Sequence, residues 1–282
     1  MDVTRKMDEK EFREIEARLL SDKKMALEMA DDIFKKLNEQ KPLTPPAVAR
    51  LRDEMMLENT FDSNAIEGSR LTLRETVLVV KEGVMDGDGF RMKDVLAAKG
   101  YAHGFEAIFD FADQKIPCDE ALIKRLHQYV MLGAFPEYCG VWRDHEVRVL
   151  GAAFKPAGFR EIPQKIHDLV SWYQNKNAMH PIEKASRFHA EFETIHPFAD
   201  GNGRTGRLLL NFMLVREGYW PANIRCQEDR DRYYAALYSF QSRGSIDDLT
   251  ALVAVRETEQ LLYCLKIALQ QEAARQMRSR SA

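Results

Sequence analysis

Apolar side chains recur every three to four positions along most of the chain, the period of a helix with one buried face. Phe12, Ile15, Leu19, Met25, Met29 and Ile33 predict one or two amphipathic helices over residues 8–38, and Pro42, Pro45 and Pro46 mark a boundary after them. Leu51, Met55, Met56 and Leu57 continue the helical spacing towards Ser63. Further helices are expected near 73–82, 90–113, 119–132, 162–175, 182–196, 204–217, 228–242 and 246–270. The run Leu208, Leu209, Leu210, Phe212, Met213, Leu214 and Val215 has hardly a polar break except Asn211, so its helix belongs in the centre of a bundle. Only Glu146 to Gly151 shows period two, followed by turn chemistry in Lys155-Pro156-Ala157-Gly158, which predicts one short hairpin. The expected class is all-α, a helical bundle with a single short β-hairpin.

Composition narrows the options. A chain of 282 residues, 45% hydrophobic, can bury one substantial core plus a helical extension. A net charge of −3, with basic residues spread among acids, gives no nucleic-acid signal. Cys118, Cys139, Cys226 and Cys264 are scattered, no long apolar run is present and no secretory segment opens the chain. The expectation is a reduced, cytoplasmic protein with no membrane span. Met85-Asp86-Gly87-Asp88-Gly89 lacks the spaced ligands and closing glutamate of a calcium loop.

The chemistry is concentrated in His196-Pro197-Phe198-Ala199-Asp200-Gly201-Asn202-Gly203-Arg204-Thr205-Gly206-Arg207. Gly201, Asn202 and Gly203 can turn tightly and aim backbone N–H groups at one point, beside the positive end of the helix expected near Arg204. Arg204 and Arg207 share a helical face and can grip neighbouring phosphates. Asp200 is a hard oxygen ligand suited to Mg²⁺ between phosphates, and His196 can accept a proton near neutral pH. The glycine spacing also fits a dinucleotide fingerprint, but Ala185, Phe188, Phe192 and Ile195 form a helical stripe where that motif needs a strand. His189 and His196 have no third ligand at metal spacing, which argues against zinc.

Upstream, Ser63-Asn64-Ala65-Ile66-Glu67-Gly68 reads as a short helix, with Ser63 as its N-cap, Glu67 in about its first turn and Gly68 as a left-handed stop. Thr72-Leu73-Arg74-Glu75 reads as a capping box opening the next helix. Tyr233 and Tyr234, four and three residues before Leu237, read first as packing residues.

The segment 196–207 resembles the Fic family signature HxF-x-[D/E]-GNGR-xx-R at every fixed position. The resemblance covers about residues 45–260 and implies a Fic-type helical bundle with a hairpin flap over the active site. It implies an N-terminal helical extension (1–44), a helical segment carrying an inhibitory motif (45–112), a Fic core (113–260) with flap (145–160) and catalytic motif (196–207), and a C-terminal helix (261–282). The implied activity is transfer of AMP from ATP to a Ser, Thr or Tyr hydroxyl of a target protein, releasing pyrophosphate. His196 would be the general base, Asp200 the Mg²⁺ ligand, and Gly201, Asn202, Gly203, Arg204, Thr205, Gly206 and Arg207 the phosphate cradle. A lysine at position 203 would mark the family's kinase-like branch, and this chain has glycine there. Ser63 to Gly68 is similar to the family's inhibitory pattern [S/T]-xxx-E-[G/N], in which Glu67 would pair with Arg207 and obstruct the γ-phosphate. Gly140-Val141-Trp142-Arg143 looks like the family's Gly-xx-Arg turn. By the same alignment Val149, Leu150 and Gly151 would lie near the nucleotide, with the target protein docking on the flap as an edge strand, and Tyr233, Tyr234 and Gln241 would approach the adenine. Gln241 replaces the usual asparagine. Three other readings stay open: an enzyme removing AMP, with Glu67 orienting water, a non-catalytic nucleotide-sensing module, and transfer of a different nucleotide, since the cradle reads phosphates and not the base. Leu261, Leu262, Leu265 and Leu269 fit packing within the chain or against a second copy in a homodimer.

Overall fold

The computed structural model describes residues 9–83, 92–131, 136–148, 155–175 and 178–280. These form eleven α-helices and no strand. The flap hairpin expected over 145–160 is therefore absent from the described part of that range, and residues 149–154, with Val149, Leu150 and Gly151, lie outside the described residues.

The first two helices, α1 (Glu9–Leu19) and α2 (Lys23–Asn38), are separated by Asp22, whose carboxylate accepts from the Met25 N–H as an N-cap. Opening on Pro45 and Pro46, α3 (Pro45–Ile66) runs unbroken for 22 residues, so Ser63 is in its last turn and not at an N-cap. The local preference of Ser63 is overridden by packing. Met55, Met56, Asn59, Asp62 and Ser63 are all buried, and the Asn59 and Asn64 amides donate back to the Met55 and Thr60 carbonyls. Glu67 follows as the C-cap, and Gly68 at φ +89° supplies the expected left-handed stop.

The Thr72–Glu75 capping box opens α4 (Leu73–Val77), which passes into one π-helical turn, Leu78–Glu82. Then come α5 (Met92–Asp113), α6 (Glu120–Met131), α7 (Ile162–Gln174), α8 (Pro181–Ile195), α9 (Asn202–Arg216), α10 (Cys226–Arg243) and α11 (Asp247–Arg280). The apolar helix α9 sits at the centre, flanked by α8, α5, α6 and α3. Leu208, Leu209, Phe212 and Leu214 are completely enclosed. The long α11 lies against α2 and buries Leu261, Cys264 and Ala268 within the chain, while Leu269 stays exposed. No helix among the described residues is long and apolar enough to cross a membrane.

Candidate active site

The site is built where α8 ends and α9 begins. His196 terminates α8 in the left-handed region (φ 53°, ψ 61°), a costly conformation for a residue that precedes proline. A buried arginine stabilises it. Arg143 donates from Nε to the His196 carbonyl at 2.8 Å, from Nη1 to the His145 carbonyl at 2.8 Å and from Nη2 to the Ala157 carbonyl, while its backbone N–H donates to Pro197 at 3.0 Å. Burial lowers the His196 pKa to about 4, against the opposing effect of its hydrogen bond to the Glu193 carbonyl. At neutral pH the ring is uncharged, and the nitrogen not bonded to Glu193 can accept a proton.

The turn from 198 to 202 is closed by Asn202. Its Oδ1 accepts from the Phe198 N–H and its Nδ2 donates to the Phe198 carbonyl, both at 2.8 Å. Its side chain is thus engaged in holding the turn, which leaves its backbone N–H as its contribution to an anion. Gly201, at φ +77°, supplies the left-handed N-cap of α9. A further support comes from α6. His127, fully buried and stacked on Phe198 at 3.6 Å, accepts the Gly140 N–H at Nδ1 and so donates from Nε2 to the Asp200 carbonyl, both at 2.9 Å.

Asp200 points outward with half of its side chain exposed. Burial of the remainder raises its pKa, but Arg204, the Gly201 N–H and Lys93 outweigh this and hold the carboxylate below its usual range. The nearest cations are Lys93 Nζ at 3.6 Å and Arg204 Nη2 at 3.7 Å. Among the described residues no group of three or more His, Cys, Asp or Glu side chains could hold a metal unaided. One ionised, accessible carboxylate beside an anion cradle fits Mg²⁺, which takes its other oxygens from phosphates and water.

The two motif arginines differ in their partners. Arg204 is buried and its Nε has no hydrogen-bond partner, so this cation lacks a full set of acceptors. Arg207, also buried, donates from Nε to Ser63 Oγ at 2.8 Å, and from Nη2 to the Ser63 carbonyl at 2.9 Å and Glu67 Oε1 at 2.8 Å. Burial works against its charge, and Glu67, Tyr233 and Tyr101 together outweigh that and raise its pKa. Ser63 and Glu67 therefore meet Arg207, although 140 residues separate Glu67 from it in sequence. A Cβ on Gly203 would overlap Glu67 Oε1, so Glu67 rests in the space that a side chain at 203 would fill.

Thr205 is completely buried, and Gly206 faces α8, against Glu193 and His189. Tyr233 is core, its hydroxyl 2.7 Å from His189 Nε2 and its ring 5.9 Å from the Arg207 guanidinium. Tyr234 is 43% exposed and Gln241 lies two helical turns further along α10, half-buried. Sequence reasoning missed Lys93, His127 and Glu193 as parts of this site. The first two come from distant helices with no local pattern, and Glu193 had one signal only, a carboxylate on the buried stripe of α8.

A central helix thus opens on a glycine turn, with two buried arginines and an uncharged histidine at its mouth, in an all-helical domain. The sequence profile of the Fic/DOC family matches residues 117–214. Protein adenylyltransferase fic-1 of Caenorhabditis briggsae is 32% identical over 197 residues, 68% of this chain and 38% of that protein. Protein adenylyltransferase Fic of Nematostella vectensis is 28% identical over 233 residues, 78% of this chain and 54% of that protein. This chain thus spans between about two fifths and half the length of these curated relatives. The solved structure of a Fic domain containing signaling protein from Bacteroides thetaiotaomicron superposes with a TM-score of 0.77 at 29% identity, covering 86% of this chain and 97% of that one. The chain belongs to the Fic/DOC family.

Proposed function

We propose that this protein is a protein adenylyltransferase that transfers AMP from ATP to a hydroxyl of a target protein, and that Glu67 restrains it. The observation that carries the reading is Arg204, a buried cation short of acceptors at the start of α9, one helical turn from an Arg207 whose outer partner is the part-exposed carboxylate Glu67. Relatives named protein adenylyltransferase supply the reaction class.

In this reading the phosphates lie on the N–H groups opening α9, with Arg204 and Arg207 beneath them. Asp200 holds Mg²⁺, which neutralises phosphate charge when bound. His196 takes the proton of the incoming hydroxyl as its oxygen bonds to the α-phosphorus, and pyrophosphate leaves. The arriving polyphosphate raises the affinity of the His196 ring for that proton, moving it towards the range useful to a base. The outward face of α10 with Tyr234 and Gln241 receives the adenine.

A second reading is favoured by one observation: Glu67 is fixed by Arg207 yet 38% exposed, as a carboxylate that orients water for AMP removal would be. Incubation with Mg²⁺ and α-phosphate-labelled ATP in lysate separates the readings. Glu67→Gly is expected to label proteins about 10- to 150-fold more strongly than wild type, the effect of removing one charge-assisted contact. Adding His196→Ala should abolish that label while nucleotide still binds. Loss of AMP from prelabelled protein, by wild type and not by Glu67→Gly, would favour removal instead.

A further inference from the structure

Helix α8 brings a second carboxyl, Glu193, against α9, one turn along from Glu67. Gly203 and Gly206 are one turn apart, and each leaves room for an acid from another element. A Cβ on Gly203 would overlap Glu67 Oε1, and one on Gly206 would overlap Glu193 Oε1 and stand 2.9 Å from His189 Nδ1. Arg207 follows Gly206 directly. Ser63 and Glu67 hold its guanidinium from α3, and the Tyr233 ring faces it from α10.

Glu193 is 7% exposed and its Oε1 has no hydrogen-bond partner. His189, one turn earlier on α8, is fully buried, with Nε2 bonded to the Tyr233 hydroxyl and Nδ1 unpartnered. The charged and titrating groups facing Glu193 are Arg207 of α9, Glu67 at the end of α3, His189 of its own helix, and Tyr233 and Tyr234 of α10. Burial raises the Glu193 pKa to about 8, with Arg207 opposing and Glu67 adding to the rise. One cation thus has two acids in its field, and while Glu67 is ionised against it, ionising the buried one as well is unfavourable.

We infer that Glu193 is a proton-carrying counter-carboxyl for Arg207: it keeps its proton while an anion occupies Arg207, releases it to solvent when Glu67 withdraws, and takes it back when a phosphate arrives. The inference rests on the reading that Arg207 receives a nucleotide phosphate. Glu193 touches neither nucleotide nor target and acts through Arg207, as a positioning residue. Its ionised form keeps the vacated arginine compensated and competes with the incoming phosphate, so nucleotide affinity of the released enzyme declines as pH rises.

Calorimetry of Mg-ATP binding in two buffers of different ionisation enthalpy, near pH 7, tests this. Glu67→Gly is expected to take up about one proton more per nucleotide than Glu67→Gly/Glu193→Gln. Glu67→Gly/Glu193→Asp, which retains a titrating carboxyl, should restore part of the uptake. Equal uptake with and without the Glu193 carboxyl would overturn the inference. A nucleotide-free measurement separates it from the proposed function: the carboxyl ¹³C resonance of Glu193, identified by its loss in Glu193→Gln, should titrate at lower pH in Glu67→Gly than in wild type. An unchanged midpoint sinks the inference whatever ATP does. A shifted midpoint with no ATP binding supports the interior titration and counts against the nucleotide reading alone.

Discussion

Gly203 is where sequence, sterics and regulation meet most closely. It is the second residue of α9, and its missing side chain is the seat of Glu67. Alanine there would press its methyl onto Glu67 Oε1 and stand 3.1 Å from Arg207 Nη1, so the carboxylate must leave or the helix start must shift. A carboxylate on a flexible side chain that is 38% exposed moves more easily than the buried first turn of α9. Gly203→Ala in the otherwise unaltered chain is therefore expected to raise AMP transfer towards the level of Glu67→Gly. Combined with Glu67→Gly it should add nothing, because both changes remove the same contact. Labelling assays on the two single variants and the double variant measure this. A Gly203→Ala protein that binds ATP yet stays at wild-type activity would show that the seat does not hold the restraint.

At the scale of elements, the site depends on a five-residue turn clamped between two helices. Asn202 answers the N–H and carbonyl of Phe198 together, and both of its side-chain polar atoms are buried. Asn202→Ala leaves those two backbone groups without partners, a loss of about 1–3 kcal/mol, readable as a lower urea midpoint. The same loosened turn carries Asp200, so the variant should need more Mg²⁺ for half-maximal ATP binding, and an unchanged requirement would separate the clamp from the cradle. Helices were legible wherever one apolar stripe faced one core, as in α2, α6 and α8, and the capping box at Thr72 was readable because both partners lie within one turn. The motif 196–207 was legible because its chemistry is contiguous. Ser63 was misread because its partners, Arg207 and the buried face of α9, are distant in sequence. His127 and Lys93 were invisible for the same reason, each a single polar residue whose role exists only once α6 and α5 lie beside the turn.

Across the whole molecule, α11 joins the N-terminal helices to α10 through buried charge. Arg256 forms paired hydrogen bonds with Asp229 of α10 at 2.7 and 2.6 Å and reaches Glu16 of α1 at 2.7 Å. Its neighbour Glu257 is fully buried, with no such cation among the described residues, and accepts from the Trp220 N–H at 2.9 Å. Burial raises its pKa well above the usual 4.5, with that N–H opposing. The sign follows from which state ionises first. Below pH 4.5 both folded and unfolded chains hold the proton and the contact contributes fully. Above it the unfolded carboxyl ionises while the folded one does not, so stability falls by about 1.4 kcal/mol per pH unit until the folded pKa is reached. Glu257→Gln keeps the shape and the oxygen facing Trp220 but has nothing to titrate. It should match wild type near about pH 4.5 and exceed it progressively towards about pH 8. Urea midpoints of the two proteins at about pH 5 and 8 decide the matter. A constant difference between them would mean that Glu257 is already ionised in the folded chain, with its charge answered through the surrounding helices.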